Sequence, residues 1–114
     1  MTEPDGTRVV VCDDHDLFRR GLVEMLSVAG DVEVVGEAAT HDEAVAVVLE
    51  QRPDVVLLDL AMPGMGADES VGRMLALSPP PKVVIFSMHD EPGLVRRLFS
   101  RGAAAFLPKS ASMD

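Results

Sequence analysis

Five short apolar runs in this chain end on polar residues: Asp13-Asp14, Glu37, Asp59, Ser87 and Lys109. With Glu37 set aside, these are three carboxylates, one hydroxyl and one ammonium, drawn from four runs spread over almost the whole sequence. Three carboxylates brought to about 5 Å repel pairwise by roughly 3 kcal/mol at an effective dielectric of about 20. A divalent cation removes that cost. Oxygen ligands in a half-open site favour Mg2+, which keeps several of its waters. Asp59, with a cation on one side and the Lys109 ammonium on the other, can attack an electrophilic phosphorus. The charge that builds on the phosphoryl oxygens is then neutralised from both sides. The Ser87 hydroxyl can donate a hydrogen bond to one of those oxygens. A phosphorylated side chain brings about -1.5 to -2 of new charge, so the segment carrying Ser87 should respond to it.

Such convergence needs strands whose carboxyl ends meet at one edge. Arg8–Cys12, Val32–Gly36, Asp54–Asp59, Lys82–Ser87 and, more weakly, Ala104–Leu107 read as short strands. Their apolar character is continuous rather than alternating, as for strands covered on both faces. Between them lie stretches of helical spacing. The first opens at Asp13 to Asp16, carries Phe18, Leu22, Met25 and Ala29 as a stripe, and stops at Gly30. The second is capped by Thr40 or Asp42, with Ala44, Val45, Val48 and Leu49 on one side, and ends by Pro53. A Met-, Pro- and Gly-rich loop, Leu60 to Ala67, leads to a third helix over about 68–77 with Val71, Met74 and Leu75. The fourth follows Pro92, turns Leu94, Val95, Leu98 and Phe99 inward, and ends at Gly102. Strand and helix alternate throughout, which predicts an α/β fold: a doubly wound parallel five-stranded sheet with helices on both faces. With strand order 2-1-3-4-5 the order reverses between the first and third strands. Ligands bind at such a reversal, and these are the strands ending in Asp13-Asp14 and Asp59.

The bulk composition agrees with one domain built on one core. The chain has 114 residues, 47% of them hydrophobic, with no Trp or Tyr and four Phe. Its formal net charge is -9, from 19 acidic and 10 basic residues. That argues against nucleic-acid contact by this chain, which needs clustered Lys and Arg. The lone Cys12 makes no internal disulfide and reads as a small core residue; a reducing, cytoplasmic setting is expected. No apolar run approaches the ~20 residues of a membrane span, and the polar residues 1–7 are not a signal peptide.

Taken jointly, several segments resemble the receiver domain of bacterial two-component response regulators. They are residues 12–22 (Cys-Asp-Asp-His-Asp-Leu-Phe-Arg-Arg-Gly-Leu), Asp54 to Pro63, Ile85 to His89 and Gly102 to Lys109. The first is similar to the LuxR/NarL-type, FixJ-like subfamily, whose full-length members carry a helix-turn-helix DNA-binding domain. The resemblance covers about residues 8–112. It implies a flavodoxin-like receiver fold and a phosphorylation-dependent switch rather than an enzyme acting on other substrates. It makes Asp59 the phospho-acceptor. Mg2+ would be held by Asp14, Asp59 and the backbone carbonyl of Ala61, with Asp13 acting mainly through a water. Ser87 would be the switch hydroxyl, Lys109 the phosphate-pairing cation and Phe106 the switch aromatic. The donor would be a phosphohistidine on a sensor histidine kinase, or a small acyl phosphate.

Some positions depart from that pattern. Gly66-Ala67 stand where many members have Asp-Gly, and Pro108 precedes Lys109 where many have a proline after it, which puts a cis bond after Lys109 in question. His15, His41 and His89 are too far apart to form a joint metal site, although His89 stands where the family tunes phosphoryl lifetime. Met62, Met65 and Met88 read as packing. Glu37 reads as a solvated loop residue. Arg96, Arg97 and Arg101 form either a partner surface or an ordinary charged helix face. A stand-alone receiver without DNA output and a receiver that never carries phosphate are the alternatives within the family. Phosphatases of the haloacid dehalogenase type also use an Asp nucleophile, but Asp59-Leu60-Ala61 lacks their second carboxylate.

The resemblance further implies a fifth helix after Lys109, and the five residues 110–114 are too few for the ~11 of an average helix. The expectation is a single receiver domain, residues 1–114, truncated after the fifth strand, with the final helix and any output domain absent. Apolar surface on the Phe18 side of the first helix should then be exposed, and the chain should form a homodimer or exchange elements through it.

Overall fold

The computed structural model describes residues 6–87 and 92–109. β-branched and aliphatic runs become five strands: β1 (Thr7–Cys12), β2 (Val32–Ala38), β3 (Val55–Asp59), β4 (Lys82–Ser87) and β5 (Ala105–Pro108). Four helices alternate with them: α1 (Asp16–Val28), α2 (His41–Gln51), α3 (Ala67–Leu75) and α4 (Pro92–Arg101). All strand pairs are parallel and the order is β2-β1-β3-β4-β5, the order expected from the sequence.

Register positions the chemistry. Cys12 lies across from Leu58 and Asp59 across from Phe86, while Ser87 faces Pro108. The residues that follow these pairs, Asp13 and Lys109, therefore emerge beside Asp59 and Ser87 at one edge.

Side chains alternate across the sheet. Val10, Cys12, Val56, Leu58, Val83 and Ile85 point to the face covered by α2, α3 and α4, where they meet Ala44, Val48, Val71, Met74 and Leu98 in one core. Each large aliphatic side chain fully buried there contributes roughly 1.5–3 kcal/mol. α2 starts on Thr40, whose hydroxyl accepts from Glu43 N at 3.0 Å, so Thr40 and not Asp42 is the cap. Asp42 instead accepts from Met65 N at 2.8 Å and holds the loop after β3. In that loop Gly64 adopts φ 106°, and a Cβ there would stand 2.7 Å from Asp42 Oδ1.

Among the described residues, the opposite face carries only α1, which packs over β1 and β2 and buries no residue completely. Its inward side is Phe18, Leu22 and Leu26, whereas Met25 is 70% exposed and Ala29 is also exposed. The inward row is thus 18/22/26 rather than the expected 18/22/25/29, with α1 resting on the β1–β2 side of the sheet. Two further expectations fail for a related reason. Leu49 and Phe99 are 45% and 44% exposed, since α2 and α4 each meet the sheet through one narrow row, 44/45/48 and 94/95/98.

Candidate functional site

Asp13 extends the sheet by one residue, its amide donating to Ala38 O at 2.9 Å. Its side chain then turns back: Oδ1 accepts from His15 N at 2.8 Å, an Asx-type turn that closes the β1–α1 connection. The carboxylate is fully buried. Asp59, at the end of β3, is also buried, and its Oδ1 accepts from Ala61 N at 3.0 Å.

Lys109 joins the two. Its Nζ lies 2.8 Å from Asp13 Oδ2 and 3.0 Å from Asp59 Oδ2, to which it donates a hydrogen bond. It is itself buried. The ammonium sits 4.4 Å from the Phe18 ring centroid and 5.3 Å from that of Phe86, and the two rings are 5.8 Å apart. Two carboxylates and two aromatic faces thus surround one cation. Burial works against its charge, but the bonds and attraction of Asp13 and Asp59 outweigh burial and hold its pKa above the ordinary lysine value. Phe18, read from the sequence only as part of a helix stripe, is one wall of this cage.

Asp14 forms the open rim, with a 39% exposed side chain. His15 Nδ1 stands 3.9 Å from Asp13 Oδ1 and 4.0 Å from Asp14 Oδ1, and one ligand atom from each of these three residues lies within 4.8 Å of the others. Ser87 is buried at the end of β4, and Phe106 is half-buried on β5 against the core. Lys109 therefore contacts both Asp13 and Asp59, Asp14 lies beside Asp13 and His15, and Ser87 ends the neighbouring strand.

Three carboxylates against one ammonium leave two negative charges in excess at this edge. Their donor atoms are all hard oxygens, and the exposed Asp14 keeps the site open to solvent. This donor set and charge fit Mg2+, which prefers a few carboxylates and retained waters over a closed cage.

Sequence reasoning missed two supports. Glu37 lies in β2, not in a loop, and its Oε1 accepts from Arg19 Nε at 3.0 Å. Arg19 also donates to Asp16 Oδ1 at 2.9 Å and to the Asp13 carbonyl oxygen at 2.6 Å. His41 is buried at the start of α2, with Nδ1 2.9 Å from Ser70 Oγ and Nε2 3.3 Å from Leu60 O. The Nε2–H tautomer satisfies both contacts and ties α2 and α3 to the residue after Asp59. No local pattern announces either support, because the partners lie far apart in sequence. Met62 is buried and Met65 half-buried in the core, so both serve packing. Arg97 and Arg101 reach Asp68 on α3 at 3.2 and 3.4 Å and Arg96 is exposed, so two of the three arginines are spent within the molecule. Met88, His89 and the bond after Lys109 lie outside the described residues.

Residues 9–114 match the family model described as the response regulator receiver domain. The chain belongs to that family. Among curated proteins, it is 43% identical over 110 residues to the probable transcriptional regulatory protein NarL of Mycobacterium tuberculosis, covering 96% of this chain and 51% of that protein. It is 37% identical over 107 residues to the response regulator GacA of Pseudomonas aeruginosa, covering 94% of this chain and 50% of that one. The receiver thus spans about half the length of these relatives. The solved receiver domain of the M. tuberculosis NarL superposes with a TM-score of 0.85 at 44% identity, covering 93% of this chain and 86% of that one. A LuxR-family response regulator from Aurantimonas superposes with a TM-score of 0.83 at 30% identity, over 92% of this chain and 75% of that one. The chain is therefore a receiver of the LuxR/NarL type, a regulatory domain of two-component signalling. No helix among the described residues is long and apolar enough to cross a membrane.

Proposed function

We propose that in the cytoplasm Asp59 accepts a phosphoryl group from a phosphohistidine of a sensor histidine kinase, or from a small acyl phosphate, and that the receiver thereby controls a transcriptional output module outside this chain. The observation that carries this reading is the buried Lys109 ammonium bridging Asp13 and Asp59 at the strand ends. A carboxylate oxygen of Asp59 attacks phosphorus. The new O–P bond forms as the P–N bond of the phosphohistidine breaks, and the electron pair leaves with the imidazole nitrogen. Lys109 then pairs with a phosphoryl oxygen, and Ser87, with Phe106 as the reporting aromatic, answers the added charge.

Asp13, Asp14, Asp59 and the carbonyl of Ala61 would hold Mg2+. When bound, the cation supplies positive charge that offsets the charge building on the phosphoryl oxygens. The twofold length of the relatives supports an output module. An open apolar groove of about 90 Å³ on the α1 face, lined by Phe18, Leu22, Leu57, Val84 and Leu107 among others, supports a homodimer through that face. Light scattering of a dilute sample tests the dimer, and a clean monomer at both high and low salt would refute it.

Intact-mass measurement after incubation with acetyl phosphate and Mg2+ tests the acceptor. The expected result is a phosphoryl adduct that is lost without Mg2+ and in Asp59→Asn. An adduct that survives Asp59→Asn would move the acceptor elsewhere.

A further inference from the structure

Arg19 lies one turn into α1 with a side chain only 17% exposed, and all the arms of its guanidinium are engaged. Nε is held by Glu37 of β2, one Nη by Asp16 of the same helix, and the other Nη donates to the Asp13 carbonyl oxygen at 2.6 Å. That oxygen belongs to the planar peptide joining Asp13 to Asp14, so gripping it orients the whole plane and the Cα from which Asp14 departs. Asp13 has independent holds: its amide on Ala38 O, its Oδ1 on His15 N, and its Oδ2 beside Lys109. Among the described residues, Asp14, the exposed carboxylate of the three, has one ion-pair contact, His15 Nδ1 at 4.0 Å, with a 71% exposed side chain, so the peptide that carries Asp14 bears on where its carboxylate sits.

We propose that Arg19 is a positioning residue for the divalent cation site: anchored on β2 and α1, it fixes the Asp13–Asp14 peptide and so aims the Asp14 carboxylate. This rests on the reading in which Asp13 and Asp14 hold Mg2+. Geometry and charge act in opposite directions here. Removing a nearby positive charge would by itself tighten cation binding. Releasing the peptide weakens it, and loss of supports behind metal ligands typically costs about 10–100-fold in affinity.

Calorimetric titration of the metal-free chain with MgCl2 separates the two. Arg19→Ala is expected to bind at least about 10-fold more weakly. Arg19→Lys, which keeps the charge but not the rigid fork, should also weaken binding. Arg20→Ala, an exposed position on the same helix, should match the wild type. With acetyl phosphate, the half-saturating Mg2+ concentration of Arg19→Ala should rise while the rate at saturating Mg2+ is retained. A purely structural role would instead lower the melting temperature and the plateau rate without moving half-saturation. Should Arg19→Ala fail to fold, Glu37→Ala, which frees only the Nε anchor, carries the same test with a smaller weakening. Wild-type or tighter affinity in Arg19→Ala, or full affinity in Arg19→Lys, would overturn the proposal alone. Absence of Mg2+ binding by the wild type would overturn the cation reading and this inference with it.

Discussion

Replacing Lys109 by methionine tests the electrostatic account of the site most directly. The substitution keeps an unbranched side chain of similar length and removes the ammonium, with its contacts to both carboxylates and its place over the Phe18 and Phe86 rings. Asp13 Oδ2 and Asp59 Oδ2 flank one nitrogen at 2.8 and 3.0 Å, so they lie no more than 5.8 Å apart, the two contacts end to end. At that separation two carboxylates repel by about 3 kcal/mol at an effective dielectric of about 20. Taking one partner from a buried ion pair generally costs about 3–5 kcal/mol, and here both remaining partners are nearly inaccessible to water. Lys109→Met is therefore expected to lower unfolding stability in metal-free buffer by about 3–5 kcal/mol, a large share of a typical domain's total. Mg2+ should recover more stability in Lys109→Met than in the wild type, because the site then carries three uncompensated carboxylates. Adding Asp13→Asn should restore part of the loss, with a coupling of about 0.5–3 kcal/mol. Urea unfolding followed by circular dichroism, with and without MgCl2, measures all three quantities. A loss below about 1 kcal/mol, the range of an exposed pair, would refute the reasoning. So would strict additivity with Asp13→Asn.

Other outcomes follow from particular residues. Burial pushes the Cys12 thiol up to about 12 from 9.0, so the native protein should resist a disulfide-exchange reagent at pH 9 and react only on unfolding. A raised folded-state pKa means that this contribution to stability is complete below pH 9 and is lost as pH rises toward 12. Lys109, whose pKa is also raised, loses its contribution in the same direction. An alkaline urea series should therefore show stability falling above pH 9. Gly64→Ala must accommodate φ 106° and a 2.7 Å approach to Asp42 Oδ1. A loss of about 1–3 kcal/mol is expected from thermal unfolding, and an unchanged melting temperature would show that the loop after β3 is not held as described.

Most of the fold and the heart of the site were legible in the chain itself. Continuous aliphatic runs such as Val55–Leu58, alternating with stretches of helical spacing, point to strands of a parallel sheet covered by helices. A carboxylate directly after such a run, like Asp59, is otherwise costly to bury and so marks a functional edge. Asp13, Asp14, Asp59, Ser87 and Lys109 were picked out in this way, and Thr40 was one of the two cap sites the chain offered, the one the helix uses. What the tertiary structure alone decided concerns contacts between distant segments. Strand register brought Lys109 between Asp13 and Asp59. The rotation of α1 left Met25 exposed and set Phe18 4.4 Å from the ammonium. Glu37 became the anchor of Arg19, and His41 became a buried link to Leu60 and Ser70. The physical reason is one of range. Periodicity and strand-end chemistry are local properties of a sequence, whereas the partner of a buried charge or ring is set by how strands align and helices tilt, and packing over the whole core determines that.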